Sequence, residues 1–226
     1  MNKQHEFSEK ISIVTDISNP IGRAIAMQLG LNGSFVVAGY SNKKDAGAHE
    51  SLRKLGTLAE TVFIDDSEET AKNLIDTTGQ KFGRIDLLAN TYFCEDETIT
   101  AYFRSTKKFL EFLAMAKNLM NERPKIRILN VSYVPNCSDE IERTLFEGAA
   151  EAAASLVGSL STNLPKKFSV NGIAIYDGEA EIAEAQVENE LLRNATAVPA
   201  DDAARVALFL LSSESKAVNG LVLDLN

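Results

Sequence analysis

The chain has 226 residues and a mass of 24.6 kDa, the size of one ordinary domain or at most two small ones. Hydrophobic residues make up 45% of the chain and charged residues 24%, a composition that excludes a disordered protein. The net charge of -9 argues against general nucleic-acid binding, because an acidic surface repels the phosphate backbone.

Apolar, β-branched runs alternate along the chain with helix-length amphipathic segments. The predicted strands cover residues 11–15, 34–39, 60–64, 85–90, 125–132, 168–175 and 220–225. The predicted helices cover residues 21–31, 43–55, 67–82, 98–121, a segment from Ser138 or Asp139 to 163, and 203–212. Ser67 is a candidate N-cap, and the acidic, alanine-rich stretch 179–194 is predicted to be a short helix.

Strand–helix alternation repeated this often predicts an α/β fold. We expect a single Rossmann-type, doubly wound, mostly parallel seven-stranded sheet with helices on both faces. No linker, low-complexity tract or break in composition interrupts the pattern. Residues 1–226 are therefore predicted to form a single domain.

Two cysteines and two histidines bear on the compartment and on metal binding. Residues 1–10 are polar, and no apolar run approaches the roughly 18–20 residues that cross a bilayer, so neither a secretory signal nor a membrane span is predicted. Cys94 and Cys137 do not make a disulfide framework, so we expect a reducing, cytoplasmic location. His5 and His49 lack a cluster of further ligands in the sequence, which argues against a metal site.

Short strings recur in a characteristic order. They are TDISNPIGRAIA at 15–26, GRIDLLAN at 83–90, IRILNVS at 126–132, FSVNGI at 168–173, ALFL at 207–210 and VNG at 218–220. Together they resemble the short-chain dehydrogenase/reductase family over nearly the whole chain, closest to the β-ketoacyl-carrier-protein reductase type. The resemblance implies a Rossmann fold and an NAD(P)-dependent oxidoreductase ancestry, although fold alone does not carry function.

The turn that holds the cofactor in this family departs from the pattern here. The family's Thr-Gly-x-x-x-Gly-x-Gly lets the backbone approach the pyrophosphate. Here the first glycine position is Asp16 and the second is Pro20, and only Gly22 remains. A carboxylate about 4 Å from a phosphate costs roughly 4 kcal/mol at an effective dielectric of about 20, and proline offers no N–H. Asn19 as N-cap before Pro20 makes a sound helix start without any ligand, and we favour that interpretation.

By resemblance, a set of positions lies along the cofactor path. Phe93 stands where the family has a glycine beside the cofactor, and its ring is expected to occupy that space. The turn at 40–44 has no acidic residue for a ribose hydroxyl, which favours NADP, with Lys43 or Lys44 near the 2′-phosphate. We therefore expect no cofactor, or NADP if any. The candidate cofactor-binding residues are Thr15, Ser18, Ile21, Gly22, Asp65 and Asn90.

The family's reaction uses a tyrosine as general acid, a lysine four residues later, a serine and an asparagine. The corresponding positions here are vacant: Phe146 for the tyrosine, Ala150 for the lysine, Tyr133 for the serine and Ser105 for the asparagine. The resemblance therefore implies a degenerate member, a pseudoenzyme without reductase activity that acts as a non-catalytic subunit or binder. The alternative is an NADP-dependent reductase with a non-standard proton donor.

Four nearby groups are candidates to replace the lost acid: Ser132, Tyr133, Glu147 and Tyr92. Strand alternation is expected to point Ser132 away from the catalytic face. Tyr133 has a phenol but no lysine partner, and Glu147 lies about 100° around the helix from Phe146. We expect none of them to restore the reaction.

The two longest predicted helices suggest self-association. The helix at 98–121 has more apolar residues than are needed to pack one face against a sheet. The helix that ends at 163 carries small residues on several faces. By resemblance these helices pair across a two-fold axis, which implies a homo-oligomer, either dimer or tetramer. Glu147 and Glu151 would repel their own copies, which leaves room for a hetero-oligomer with an active relative.

Overall fold

The computed structural model of the chain describes residues 6–41, 52, 54–64, 68–92, 99–121, 123–135, 139–176 and 198–225. Seven strands lie within these ranges: β1 Ile11–Val14, β2 Phe35–Tyr40, β3 Ala59–Phe63, β4 Leu87–Asn90, β5 Ile126–Val134, β6 Phe168–Tyr176 and β7 Val222–Leu225. The α-helices within the same ranges are α1 Pro20–Leu31, α2 Glu68–Phe82, α3 Ile99–Asn121, α4 Glu140–Asn163 and α5 Ala200–Leu211.

The strands form one sheet in the order β3-β2-β1-β4-β5-β6-β7, and every pairing between neighbours is parallel. The predicted Rossmann-type, doubly wound α/β fold is confirmed, and the sheet is wholly rather than mostly parallel. The chain runs outward from β1 to β3 and then returns to place β4 on the other side of β1. The carboxyl ends of β1 and β4 are therefore the topological switch point, where folds of this kind bind ligands.

Two hydrophobic cores cover the two faces of the sheet. On one face α1 and α5 pack together, with Ile25 of α1 and Leu210 of α5 buried against the strands. On the other face α2, α3 and α4 cover the sheet, and Phe109 and Phe112 of α3 are fully buried there. The apolar side chains on both faces of the sheet explain why its central strands read as continuous apolar runs.

The alternation of side chains along β5 decides which residues can meet α3 and α4. Ile126 and Ile128 belong to the core beneath these helices, whereas Leu129 and Val131 belong to the core beneath α1 and α5. The even-numbered residues of β5 therefore face α3 and α4. The same parity holds in β6, since Val170 faces α3 and α4 and Ile173 faces the other layer.

Most element boundaries agree with the sequence to within two residues, and three differences have identifiable reasons. β5 continues to Val134, two residues beyond its predicted end, because it stays paired with β6 through the Val134–Tyr176 register. α5 begins at Ala200, directly after Pro199 and before the predicted start at 203. Lys54 and Leu55, predicted to end a helix, form a turn.

The start of α4 resolves the choice between two predicted caps. One Asp139 carboxylate oxygen accepts from the backbone N–H groups of Ile141 and Glu142, each at 2.9 Å. Ser138, Ser67, the predicted helix at 43–53 apart from residue 52, and the predicted helix at 179–194 lie outside the described residues.

The described residues bear on membrane spanning and on metal binding in two ways. None of the helices they contain is long and apolar enough to cross a membrane. Within the same part of the chain, no group of three or more His, Cys, Asp or Glu side chains is placed to hold a metal ion.

Candidate functional site

A buried polar ladder joins the carboxyl ends of β1 and β4 to the middle of β5. The Thr15 hydroxyl donates to Asn90 Oδ1 at 3.1 Å, and Asn90 Nδ2 donates to Asn130 Oδ1 at 2.8 Å. The Thr15 hydroxyl also accepts from the backbone N–H of Thr91 at 2.9 Å. The structure thus brings together two predicted site residues, Thr15 and Asn90. Their polar atoms bind each other, as buried polar groups require.

Thr91 ties the turn after β1 to the end of β4. Its hydroxyl donates to the Asp16 carbonyl at 2.6 Å and accepts from the Asp16 N–H at 3.1 Å. Asn19 Nδ2 adds a bond to the Thr91 carbonyl at 2.8 Å. The turn that would wrap a pyrophosphate is held against β4 by these bonds.

The amino end of α1 is capped by the protein itself. Asn19 Oδ1 accepts from the Gly22 N–H at 2.7 Å, and the Asn19 carbonyl accepts from the Arg23 N–H at 3.1 Å. Pro20 occupies the first helical position and has no N–H to give. Of the backbone N–H groups in the first turn of α1, at most the one of Ile21 remains to bind an anion. The predictions of Asn19 as N-cap and of Pro20 at the first helical position are confirmed.

Gly22, the one retained glycine of the motif, allows α1 to lie close to the turn after β1. A Cβ at Gly22 would lie 1.9 Å from the Asp16 carbonyl oxygen and 2.9 Å from the Thr91 hydroxyl oxygen. Any side chain at this position would therefore break the contact between α1 and the β1 turn. Gly22 is required here whether or not a dinucleotide approaches.

Asp16 is a buried carboxyl group, with 2% of its surface exposed. Burial raises its pKa from the ordinary value of 3.8 to about 6, although hydrogen bonds from Ser18 and Ser41 oppose the shift. The Ser18 N–H donates to one carboxylate oxygen at 2.8 Å and the Ser41 hydroxyl donates to the other at 2.9 Å. The Ser18 hydroxyl in turn accepts from the Ser41 N–H at 2.9 Å. The carboxyl group therefore fastens the β1 turn to the end of β2.

These residues do not fit a dinucleotide pyrophosphate. The turn carries a carboxyl group in place of a glycine, and its helix offers at most one amide where the family offers several. Ile21 is 2% exposed and packs in the core. Four other residues on the predicted cofactor path lie outside the described part of the chain: Lys43, Lys44, Asp65 and Phe93.

An apolar cluster occupies the predicted catalytic positions. Phe146 and Ala150 of α4 are 5% and 4% exposed and pack with Val134 of β5. Tyr102 of α3 and Tyr176 of β6 lie against this cluster and are partly buried. The structure therefore brings Phe146 and Ala150 together one helical turn apart, as the spacing predicted.

The prediction about Ser132 and Tyr133 is wrong in its choice of face. Because the alternation runs unbroken to Val134, Ser132 lies on the same side of β5 as Val134, which packs on Phe146. Tyr133 packs instead against the core beneath α1 and α5. The residue at the family's serine position thus lies on the face opposite Phe146, and Ser132 lies on the face expected of Tyr133. Ser105, at the asparagine position, lies half-buried in α3.

Tyr102 is a notable residue that sequence reasoning missed. Its hydroxyl oxygen is buried next to the Ser132 side chain. Burial raises the pKa of Tyr102 to about 12; a hydrogen bond with the Ser132 side chain opposes the shift, and the nearby Tyr176 adds to it. Neither neighbour is cationic, so Tyr102 is not tuned as the family's tyrosine is. The available signal was its place on α3, three residues before the asparagine position.

The buried Asp16 carboxyl predicts a specific pH dependence of stability. Below pH 3.8 the group is neutral in both the folded and unfolded chain; between 3.8 and about 6 only the unfolded chain ionises, so stability falls as the pH rises. Above about pH 6 both states are ionised, and burial of the Asp16 carboxylate lowers the free energy of unfolding by a constant amount. A shift of about two pKa units corresponds to roughly 3 kcal/mol.

The difference in unfolding free energy between Asp16→Asn and wild type should therefore grow by about 2–3 kcal/mol, in favour of the variant, as the pH rises from 4 to 7. Urea unfolding of both proteins at several pH values measures this difference. Asp201→Asn, which changes an exposed carboxylate, is the matched control and should show no such trend. A wild-type to Asp16→Asn difference that stays flat across this range would contradict the assignment.

Comparison with known proteins places this geometry in a family. A family model described as enoyl-(acyl carrier protein) reductase matches residues 17–226. An uncharacterized oxidoreductase of Methylorubrum extorquens is 29% identical over 95% of each chain. A 3-oxoacyl-[acyl-carrier-protein] reductase of Haemophilus influenzae is 25% identical over 96% of each chain.

The solved structures show the same architecture. The crystal structure of a hydroxysteroid dehydrogenase from Escherichia coli superposes with a TM-score of 0.80 over 100% of this chain and 98% of the other. At 21% sequence identity this likeness shows the fold alone. Since the family model covers nearly all of the sequence, and the relatives share its full length, the chain belongs to the short-chain dehydrogenase/reductase family of oxidoreductases, whose members normally bind NAD(P), and it resembles the 3-oxoacyl-acyl-carrier-protein reductases.

Proposed function

We propose that this protein is a non-catalytic member of the short-chain dehydrogenase/reductase family, a single domain over residues 1–226 that acts as a binder or as a subunit of an oligomer. The observation that carries the proposal is the closed apolar contact among Phe146, Ala150 and Val134. This contact replaces the tyrosine and lysine that the family's chemistry needs.

The residues of the apolar cluster lack two chemical functions that the family's tyrosine and lysine supply. Phe146 keeps an aromatic ring but has no proton to give to a developing alkoxide. Ala150 has no charge with which to lower the pKa of a neighbouring phenol. Losing general-acid catalysis alone costs roughly 10²–10⁴-fold in rate.

The cofactor turn supports the same proposal independently. A pyrophosphate would meet the Asp16 carboxyl at one glycine position and the Pro20 ring at another. Its remaining anchor, the amino end of α1, is already capped by Asn19. NADP would be the weakly preferred dinucleotide, because the turn that follows β2 lacks an acidic residue.

A second candidate function is an NADP-dependent reductase with a non-standard proton donor. The names of the relatives, which are reductases and dehydrogenases, favour it. Tyr102 is one of two phenols that pack against the vacated position in the apolar cluster. A pKa raised to about 12 makes that phenol a poor acid at neutral pH, so we favour the non-catalytic function.

The outward faces of α3 and α4 support the proposal of an oligomer. On α4, Ile141 and Leu145 are 72% and 49% exposed, and a Cβ on Gly148, one turn further, would meet open space. On α3, Phe103 and Leu110 are 55% and 40% exposed. Large apolar side chains left in water on adjacent helices are typical of a protein–protein interface. We propose a homodimer or tetramer through this face.

Glu147 and Glu151 border this face of α4 and are exposed. Across a two-fold axis each would approach its own copy, which weakens a homodimer. A hetero-oligomer with a more basic, active relative is therefore the alternative assembly.

Wild-type protein should bind NADPH and NADH only weakly. Isothermal titration with each dinucleotide measures this directly. The variant Asp16→Gly with Pro20→Gly restores both glycines and removes the carboxyl group, so it should bind more tightly than wild type. A wild-type dissociation constant in the low micromolar range or below would overturn the proposal for the cofactor turn.

Carbonyl reduction should be undetectable with the wild-type chain. NADPH oxidation in the presence of a β-ketoacyl substrate is the assay. Restoring Phe146→Tyr and Ala150→Lys, with Ser132 already on the face of Phe146, should still fail, and Asp16→Gly with Pro20→Gly must be added before any rate appears. Consumption of NADPH by the wild-type chain at ordinary enzyme rates would establish the second candidate instead.

Light scattering at micromolar concentration should give a mass of at least twice the 24.6 kDa of one chain. Leu145→Glu should shift the mass toward the monomer, because it places a charge in the proposed interface. Leu31→Glu, at a 64% exposed position on α1, is the control and should leave the mass unchanged. A wild-type monomer would exclude the homo-oligomer, and a wild-type monomer that also stays single when mixed with an active relative would exclude the hetero-oligomer.

A further inference from the structure

One buried carboxyl group is shared by two arginines at the amino edge of the sheet, where its parallel strands begin. Asp86, directly before β4, is 1% exposed. Arg123 Nε donates to Asp86 Oδ1 at 2.6 Å, and Arg84 Nε lies 3.4 Å from Asp86 Oδ2. The Ile11 backbone N–H donates to the same Oδ2 at 3.0 Å. Since one negative charge is held between two positive charges, the group as a whole is a cation.

Both guanidinium groups keep hydrogen-bond donors that the described residues do not use. A guanidinium group has five N–H donors in a planar fork. Arg123 gives one of them to Asp86, and its two Nη groups donate to no described residue. Arg84 donates through Nη2 to the Glu9 carbonyl oxygen at 2.7 Å, and its Nη1 makes no such bond. The unused donors can therefore serve a ligand that carries several oxygen acceptors.

The two arginines are partly withdrawn from water. The Arg123 side chain is 27% exposed and the Arg84 side chain is 37% exposed. Among the described residues, Asp86 is the one carboxylate within ion-pair distance of either side chain. A partly buried positive charge without its own counter-ion is unfavourable, and a bound anion would relieve that cost.

Further charges flank the pair of arginines. The strands β1, β4 and β5 are neighbours, so the residues that precede them lie along one edge. Lys10 directly precedes β1, and the exposed Lys125 directly precedes β5. Glu9 is exposed and meets Arg84 through its backbone, while Glu122 lies outside the described residues. Positive charge thus exceeds negative charge at this place, although the whole chain carries a net charge of -9.

We propose that Arg84, Arg123 and Lys125 form a binding site for a phosphate group. The free Nη groups of the two arginines donate to its oxygens, and Lys125 adds a positive charge at the rim. Asp86 holds both guanidinium groups in place before the ligand arrives. The site lies at the edge of the sheet opposite the topological switch point, so it goes beyond the proposed function and does not depend on it. No covalent bond forms or breaks.

Phosphate suits this arrangement better than a carboxylate does. An esterified phosphate group carries a charge of about −1.5 to −2 at pH 7 and three acceptor oxygens. A carboxylate has one charge and two oxygens, which Asp86 already supplies from below. The planar fork of arginine matches the geometry of phosphate oxygens, and two such forks at one place favour a dianion.

Three probes test the preference at neutral pH and constant ionic strength: inorganic phosphate, methyl phosphate and acetate. Binding is followed by the ¹H–¹⁵N signals of the arginine Nε–H groups. Those of Arg84 and Arg123 should shift with both phosphates, and acetate should bind more weakly. Sodium chloride at the same ionic strength should not shift them. The tighter of the two phosphates tells whether the free ion or the ester is preferred.

Two variants and a matched control locate the site. Arg84→Gln leaves Asp86 bonded to Arg123, so it should fold, and it should weaken phosphate binding about tenfold. Lys125→Gln removes an exposed charge and should weaken phosphate binding about two- to fivefold. Lys72→Gln, at an exposed position on α2, makes the same change in net charge and should leave the affinity unchanged.

Thermal unfolding gives a readout that a purely structural ion pair would not move. Saturating phosphate should raise the melting temperature of wild type and of Lys72→Gln, because a ligand that binds only the folded state stabilises it. The increase should be smaller for Lys125→Gln and smallest for Arg84→Gln. If Arg84→Gln does not fold, the comparison of Lys125→Gln with Lys72→Gln still decides.

Three results would overturn the inference: no shift of the two arginine signals with either phosphate, equal affinity for acetate and phosphate, or equal weakening by Lys72→Gln and Lys125→Gln. The last would mean that the whole charged surface, and no defined site, attracts the anion. NADPH also carries phosphate groups, so it is titrated into wild type and Arg84→Gln. Tight NADPH binding that Arg84→Gln does not change would contradict the proposed function and leave this site intact.

Discussion

Burial of the Asp16 carboxyl group is the constraint that organises the carboxyl ends of β1, β2 and β4. A carboxyl group that is almost wholly removed from water needs hydrogen-bond donors, and the Ser18 amide and Ser41 hydroxyl supply them. These bonds draw the end of β2 onto the turn after β1. The Asp16 main chain is held in turn by Thr91, so one residue links three strand ends through its side chain and its backbone.

At the same edge of the sheet, polar groups at the family's cofactor positions form hydrogen bonds within the protein. Thr15, Asn90 and Asn130 bind each other, and Asn19 binds the amide of Gly22. Each of these bonds uses a donor or acceptor that a ligand could otherwise take. Below them, on the face covered by α3 and α4, the closed contact of Phe146 with Val134 replaces a polar pair by an apolar one. The two changes are distinct in space, and each independently supports the proposed non-catalytic function.

The sequence was sufficient for features that depend on local order. Alternating strands and helices predicted the parallel sheet, and Asn19 followed by Pro20 predicted a capped helix start. The placement of Phe146 and Ala150 followed from spacing along one helix. The face of Ser132 was mistaken because it depends on where β5 ends, and pairing with β6 some forty residues away decides that. The burial of the Tyr102 hydroxyl could not be predicted, since it results from packing among elements that are far apart in the sequence.

Gly22 has a consequence for how glycine-rich turns are interpreted in distant relatives. A methyl group at this position would collide with the Asp16 carbonyl, so the residue is fixed by the meeting of a helix and a strand end. A lineage that abandoned its cofactor would still be unable to replace this glycine, whereas the other two positions of the motif would be free to vary. Survival of the last glycine alone therefore records the ancestry of the fold, and the first two glycines are the better guide to whether a chain still carries a dinucleotide.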